Sequence, residues 1–547
     1  MRVIGRIVAG IVVFMVVAAV VALLSSEPLL NGYVKEQILD GVNNRKGVSL
    51  SLGTFHYSIL ANRVSCDNIR FRMTGNQRDS TSLAVGALSC SNINWLRVLF
   101  GAGVSCGDLV VEALQGHVMS LEEEAAPKPG SRETEHVAEA SGVPLPLIVD
   151  RFSASGSELS RTVYARSGIA HDSLSRFALE VRDFRLESLP EEQWESAFAG
   201  AQIECEAEGV SFEIPGSPYR IGFARARMLD AGSVINCDSL RIVPLLPDAQ
   251  FFASDRFGST RYRVSMDRLT VRGLDLPGLI RNREYTAHLI SVGRPVIGIV
   301  MNKRLPGDHK VDTVTRTGSA PDSAKMPNEI LAGMRATLHI DSVEVNDGIV
   351  EYAELYPYSA RPAALRWTGV RLGATGISNR KTRADSSAHI EASGMFQESA
   401  RMVVSMEMPL ARREFSLSCQ GSVDSLHLPS LNSFLEVAER IRITSGVADN
   451  IRFSMTAGNG RSSGTVRPMY HDLKIEMLAK QTGRSDGIVQ RIGTLLADMF
   501  KIKDDNSRYQ SGGARVGPVR YTRKPDDPFF KFLWFSLRSG LGTVVGF

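Results

Sequence analysis

Little in this sequence resembles reactive chemistry. Its ten histidines stand singly, without an H-E-x-x-H pair or a Cys/His group at zinc spacing, so no metal centre is written into it. A G-x-S-x-G string stands at 460–464, GRSSG, but it lies between two strand patterns and not at the strand-to-helix elbow that presents a nucleophilic serine. Six cysteines include no C-x-x-C. Charge of one sign is missing too: 63 Lys and Arg stand against 59 Asp and Glu, a net of +4. No basic run is interleaved with aromatics, so nothing points to nucleic acid. Two glycine-rich stretches lose their meaning in context. Gly458, Gly460 and Gly464 lie between strand patterns and read as a hairpin loop, while Gly540, Gly542 and Gly546 follow a helical pattern rather than a strand, which fails the dinucleotide context. Asp341, Glu344, Glu351 and Glu354 read as a solvated face. No catalytic residue, cofactor or metal is assigned, and the chain reads as a non-enzyme.

What is present starts at the N-terminus. Arg2 and Arg6 precede a stretch, 7–24, without a single charge, and Val3 and Ile4 extend the apolar run toward 20 residues. A helix of about 20 residues crosses roughly 30 Å of hydrocarbon. A cleaved signal peptide has a shorter apolar region and small residues before the cut. Residues 23–28, LLSSEP, fit that poorly, so an uncleaved anchor over 3–24 is the expectation. The two arginines place the N-terminus in the cytoplasm, with everything after residue 26 outside. Cysteine in an exported chain invites disulfides. Four of the six sit in one repeated apolar slot, however, where a free thiol behaves as a small hydrophobe, and buried free thiols are expected.

The pattern along the chain is mainly β. Helical spacing over 30–42 gives way to a period of two from about 48 to 118. Residues 121–142 and 304–328 are polar, with Pro, Gly and charge, and read as flexible inserts. Strand patterns fill 148–300 and continue from 339 to 478, with short helices near 329–334 and 430–437. A helix is expected over 488–500. The predicted organisation is an anchor over 1–26, a β region over 27–480 and a helical C-terminal region over 481–547.

One phrase recurs through the β region. RVSCDNIRF places Val64 and Cys66, then Ile69 and Phe71, at apolar positions. LSCSNINW (Leu88, Cys90, Ile93, Trp95), VSCGDLVV (Val104, Cys106, Leu109, Val111) and INCDSLRI (Ile235, Cys237, Leu240, Ile242) repeat it. VSMDRLTV and LHIDSVEV do so without cysteine. Strand side chains alternate faces, so the step of three in the middle breaks parity. All four apolar residues face one way only if the backbone bulges at the polar pair between them. Bent strands of this kind build either a trough with an apolar inner face or one half of a sandwich. The length, with no division into compact units of ordinary size, favours a trough: an elongated, bent antiparallel sheet forming an open groove. These sixteen residues are its expected lining. The terminal FFKFLWFSL is aromatic enough to cap the sheet, or to touch a membrane or partner through Phe529, Phe530 and Trp534.

The anchor followed by PLLNGYVKEQILDGVNNRKGVSLSLGTFHYSILANRVSCDNIRF resembles the AsmA-like family of Gram-negative bacteria. LTVRGLDLPGLIRNREYTAHLISVGRPVIGIVMNKRLP, SLHLPSLNSFLEVAERIRITSGVADNIRFSMTAGNGRSSGTVRPMYHDLKIEMLAK and the closing FFKFLWFSLRSGLGTVVGF resemble its Bacteroidetes-type members. The wider superfamily is that of bridge-like, repeating β-groove lipid transfer proteins. The resemblance implies a single-pass inner-membrane protein whose bulk lies in the periplasm. It implies phospholipid transport toward the outer membrane and envelope maintenance, without a cofactor. Phospholipids and the inner membrane are the implied partners, with an outer-membrane or periplasmic protein at the far end. The alternative function is a scaffold assisting outer-membrane protein assembly through exposed strand edges.

Overall fold

Alternation of apolar and polar residues dominates the chain, and the structure is accordingly mainly β. The computed structural model describes residues 31–58, 62–75, 79–100, 102–121, 146–165, 168–186, 201–229, 233–253, 260–282, 284–303, 325–334, 336–380, 387–478, 503–507, 513–525 and 527–546. The expected anchor, the insert after Leu121, residues 304–324 and the expected helix over 488–500 lie outside them. No helix among the described residues is long and apolar enough to cross a membrane. They hold 22 strands in a mixed sheet and a few short helices, in two compact units. The first comprises 1–245 with 270–284, the second 246–269 with 285–547.

In the first unit β1 (Val48–Ser51) and β2 (Phe55–Ser58) pair with opposite ends of β3 (Arg63–Thr74). A meander follows in chain order: β4 (Ser80–Ser91), β5 (Val104–Leu121), β6 (Leu147–Ala165), β7 (Gly168–Leu186), β8 (Gln202–Glu213), β9 (Tyr219–Leu229) and β10 (Val234–Pro244). Helix α1 (Asn31–Asn43) packs on β1 and β2. It buries Ile38 completely, and its Asn43 side chain both donates to and accepts from the Leu50 backbone. Helix α2 (Trp95–Leu99) separates β4 from β5, and the short helices α3 (Asp248–Ala253), α4 (Leu276–Asn282), α5 (Pro327–Ala332) and α6 (Asn432–Ala438) follow later in the chain.

The second unit starts from β11 (Thr260–Arg272), whose first residues pair with β13 (Val296–Asn302). β12 (Glu284–Gly293) pairs with β14 (Thr337–Leu355). From β14 the chain meanders through β15 (Ala363–Ser378), β16 (Ala388–Phe396), β17 (Ala400–Met408) and β18 (Ser416–Val423). β18 and the two-residue β19 (Leu426–His427) pair with β20 (Ile441–Gly458), which leads to β21 (Arg461–Met477) and β22 (Gly517–Thr522). β22 lies in the stretch expected to be helical, a correction to that reading.

The sheet is mixed rather than purely antiparallel, because β5–β6 and β13–β14 are parallel pairs. Parallel neighbours need a long connection that returns the chain to the same end. Both polar inserts read from the sequence fall at these two joints. A second correction concerns LSCSNINW, which is not one bent strand: β4 ends at Ser91, and Trp95 opens α2.

Two rows of residues cross the first unit and explain the repeated phrase. Asn68 on β3 stands opposite Gly86 on β4, which faces Ala113 on β5. Glu158 on β6 leads through Ser175, Gly209 and Ala224 to Ser239 on β10, each within its paired register. Asn68, Ala113, Glu158, Gly209 and Ser239 all have left-handed φ, between 51° and 61°. A second row runs through Asn62, Asn92, Gly107, Asp150 and Asp183, with Asn62, Asn92 and Asp183 left-handed. At each row the strand faces exchange. On β3, Cys66 and Ile69 are both buried while Asp67 and Asn68 between them are exposed. On β5, Cys106 and Leu109 straddle one row, and Val111 and Leu114 the other. Left-handed backbone costs a residue with a Cβ about 1–2 kcal/mol, so at these positions the buried faces override local preference.

Gly209 shows the constraint most directly. Its φ is +61°, and a Cβ there would meet Ser175 Oγ at 2.3 Å. Gly209→Ala is expected to destabilise the first unit by about 1–2 kcal/mol, read from denaturant midpoints. Gly373→Ala, where a Cβ meets nothing within 4 Å, should stay within about 0.5 kcal/mol.

Candidate functional site

Each strand of the first meander sorts its side chains by chemistry. One side carries cross-strand ion pairs: Arg151 with Asp108, Arg176 and Arg225 with Glu208, Arg227 with Glu206, and Arg220 with Glu213, whereas the Arg161–Asp172 pair stands on the opposite side, where Arg161 lies opposite Val118. Arg225 Nη2 donates to Glu208 Oε1 at 2.8 Å, and this bond holds the Glu208 carboxyl below the usual carboxylate range. Glu213 is buried and accepts from both Nε and Nη2 of Arg220, whereas pairs in which both partners are exposed contribute little stability. Their use is to fix register and keep that side hydrated.

The other side is apolar, and its covering changes along the meander. From β1 to β7 it is a closed core. Cys66, Ile69, Leu88, Cys90, Ile93, Val104, Cys106, Leu109 and Val111 are all buried in one cluster with Ile38 of α1. Val64, Phe71 and Trp95 pack against it half-buried. The cluster fades through Phe177, Leu179 and Ile203. On β8, β9 and β10 the same side continues half-buried, and of these residues only Cys237 is fully buried. Cys205 lies opposite Met228, and Met228 opposite Ile235. Val210 lies opposite Phe223, and Phe212 opposite Ile221, which faces Ile242. Leu240 falls level with Phe223 by the pairing on either side of it.

The sixteen residues singled out from the sequence therefore occupy two environments. The twelve from the first three phrases belong to the closed core under α1. Ile235, Cys237, Leu240 and Ile242 line the half-buried face of β8–β10. Sequence reading passed over Cys205, Ala207, Val210 and Phe212 on β8, and Ile221, Phe223, Ala226 and Met228 on β9. Both sets carry the phrase's spacing. Alanine in one apolar slot hid it.

All six cysteines are free thiols. Burial, with the Asp67 charge adding to it, pushes the Cys66 thiol up to about 11, and burial does the same for Cys419. Cys90 is raised by its hydrogen-bond contact with Cys106 and then by burial. Cys66, Cys90 and Cys419 therefore stay neutral and pack as small apolar groups. Among the described residues no group of three His, Cys, Asp or Glu could hold a metal ion.

In the second unit α7 (Phe529–Val545) lies on β21 and β22. Phe532, Ser536, Gly540 and Val544, spaced by four, form its buried stripe. Phe532 meets Phe415 and Tyr521 at ring distances of 6.5 and 6.1 Å. Gly517 lets the helix approach, since a Cβ there would lie 2.0 Å from the Gly540 carbonyl oxygen. Phe529 turns inward onto Phe415, whereas Phe530 is 75% and Trp534 53% exposed. The segment is thus a cap whose outer side keeps two aromatic rings in water.

Asp527 fastens the start of α7. It is fully buried, accepts from Tyr521 Oη at 2.7 Å and the Lys524 amide at 2.9 Å, and has Lys531 Nζ at 2.9 Å. Burial alone would raise its pKa, but the bonds from Lys531, Tyr521 and Lys524 together hold it below the ordinary 3.8. A carboxylate with a depressed folded pKa gives its full stabilisation above the unfolded value and loses it as pH falls through the folded value. Acid below pH 3.8 is therefore expected to loosen α7, seen as loss of near-ultraviolet circular dichroism. Asp527→Asn should show a shallower acid limb.

A scan against protein-family models finds no match to this chain, and neither does a search of curated proteins.

Proposed function

We propose that the chain binds phospholipid acyl chains on the apolar side of a bent β-groove and supports phospholipid movement between inner and outer membranes, held at the inner membrane by residues 3–24. One observation carries this reading: the apolar side of the first unit passes from a closed core under α1 to the half-buried face of β8–β10, with ion pairs on the reverse. Taking a methylene out of water is worth about 0.8 kcal/mol. An apolar strip with water beside it shelters acyl chains while the headgroup stays hydrated. Sliding along such a strip exchanges equivalent contacts and requires no bond to be made or broken. Phe530 and Trp534 are the surface through which the second unit would meet an outer-membrane or periplasmic partner.

Photo-crosslinking on the full chain in phospholipid nanodiscs tests the reading. A photoreactive amino acid in place of Met228 is expected to yield phospholipid adducts by mass spectrometry. In place of Arg227, the next residue on β9 and ion-paired on the reverse side, it should yield none. Equal labelling at both sites, or none at either, overturns the proposal.

A further inference from the structure

The turn between β4 and β5 is built unlike a water-facing turn. Residues 91–105, SNINWLRVLFGAGVS, contain no acidic residue and a single arginine. Trp95 packs on the core cluster and anchors α2, while Leu96 is 66% and Phe100 82% exposed. The Arg97 amide donates to Asn94 Oδ1, and its guanidinium to the Ala102 carbonyl, which ties the turn to itself. Two large apolar side chains are thus presented on a tip tied by its own hydrogen bonds.

The strand register shows which end of the first unit this tip occupies. β4 runs out at Ser91, opposite Arg63, and the Asn92 amide bonds the Asn62 carbonyl. α2 therefore stands beyond the Arg63 end of β3. α1 points the same way. Its last turn, at Asn43, bonds Leu50, which lies opposite Phe71. Eight residues earlier, Lys35 Nζ reaches the Gly53 carbonyl, and Gly53 donates to Asp67. From C- to N-terminus α1 travels from the level of Phe71 toward that of Arg63. The apolar stretch ends at Leu24, and the six residues 25–30 reach at most about 20 Å.

We infer that Leu96 and Phe100 dip into the membrane that the N-terminal segment enters, so that α2 is a second contact seating this end of the first unit at the bilayer. The inference rests on reading residues 3–24 as a membrane span. The occupant is a phospholipid surface. A tip of exposed Leu and Phe with arginine and no carboxylate matches an interface of acyl chains under anionic headgroups. Arg63, exposed at the same end, adds to that match. The contact places the sheet end against the leaflet from which lipid would be drawn.

The test uses the full chain in vesicles of phosphatidylethanolamine and phosphatidylglycerol. An environment-sensitive fluorescent amino acid replaces Phe100 or, as a control, Arg72, which is exposed and about 30 Å along β3 from Arg63. Flotation after a carbonate wash reports the N-terminal span. Quenching by lipids with brominated acyl chains reports the tip. The expected result is flotation of both proteins, with a blue shift and quenching at position 100 and neither at position 72. Flotation without quenching at position 100, or with equal quenching at both positions, overturns the inference and leaves the anchor standing. Loss of flotation overturns the anchor, and the inference with it.

Discussion

Phe532→Ala is expected to lower the stability of the second unit by about 3–5 kcal/mol, the cost of emptying a large buried aromatic site. Phe532 is completely buried and belongs to a cluster with Leu417, Met455, Val466 and Val519 from four strands. The site cannot easily collapse. Gly540 and Gly517 already bring helix and strand backbones into contact, so α7 has little room to slide inward. Phe530→Ala, two residues away on the exposed side, should change stability by no more than about 0.5 kcal/mol. Thermal or denaturant unfolding of the two variants reads the contrast. If both behave alike, α7 is not the cap of this sheet.

Much of this fold is legible in the sequence because period-two alternation is a direct consequence of strand geometry. The step of three inside each phrase predicted a backbone irregularity at its polar pair, and Asn68 and Ser239 are left-handed at that place. What could not be read is that the irregularities fall into two rows. The phrase around Cys66 belongs to the Asn68 row, and the phrase around Cys106 to the row through Asn92 and Gly107. Which row a strand joins depends on register with its neighbours, and no single strand carries that information. Parallel pairing at β5–β6 and β13–β14 was missed for the same reason, although the two polar inserts marked the joints. The short β22 escaped notice because Gly517 and Pro518 weaken a strand signal. They are tolerated where β22 pairs with β21 and lies under α7.

The apolar positions were legible as a set, but not by their degree of covering. Val111 and Ile242 are both branched aliphatic residues in the last apolar slot of the phrase. Val111 is closed over by the core beneath α1, and Ile242 is half open on β10. Val111 shares its cluster with Ile38 of α1, and only the folded arrangement shows how far along the meander that cluster extends.

That difference yields the sharpest expected contrast. Ile69 is buried opposite Val85 and inside the core cluster. Ile69→Asp must bury an unpaired carboxylate there or unfold the strands around it. The expected loss exceeds about 4 kcal/mol, with the first unit unfolded or degraded. Leu240 is half-buried on β10, where a carboxylate can turn toward water. Leu240→Asp is expected to remain folded by circular dichroism and proteolysis while its phospholipid adducts at the Met228 site fall several-fold. The two substitutions are chemically similar, so the comparison separates a residue that holds the sheet together from one proposed to offer a surface to lipid. A folded Leu240→Asp protein that still crosslinks lipid like the parent would show that β8–β10 is not where acyl chains lie. A folded Ile69→Asp protein would show that this core opens more readily than its burial implies.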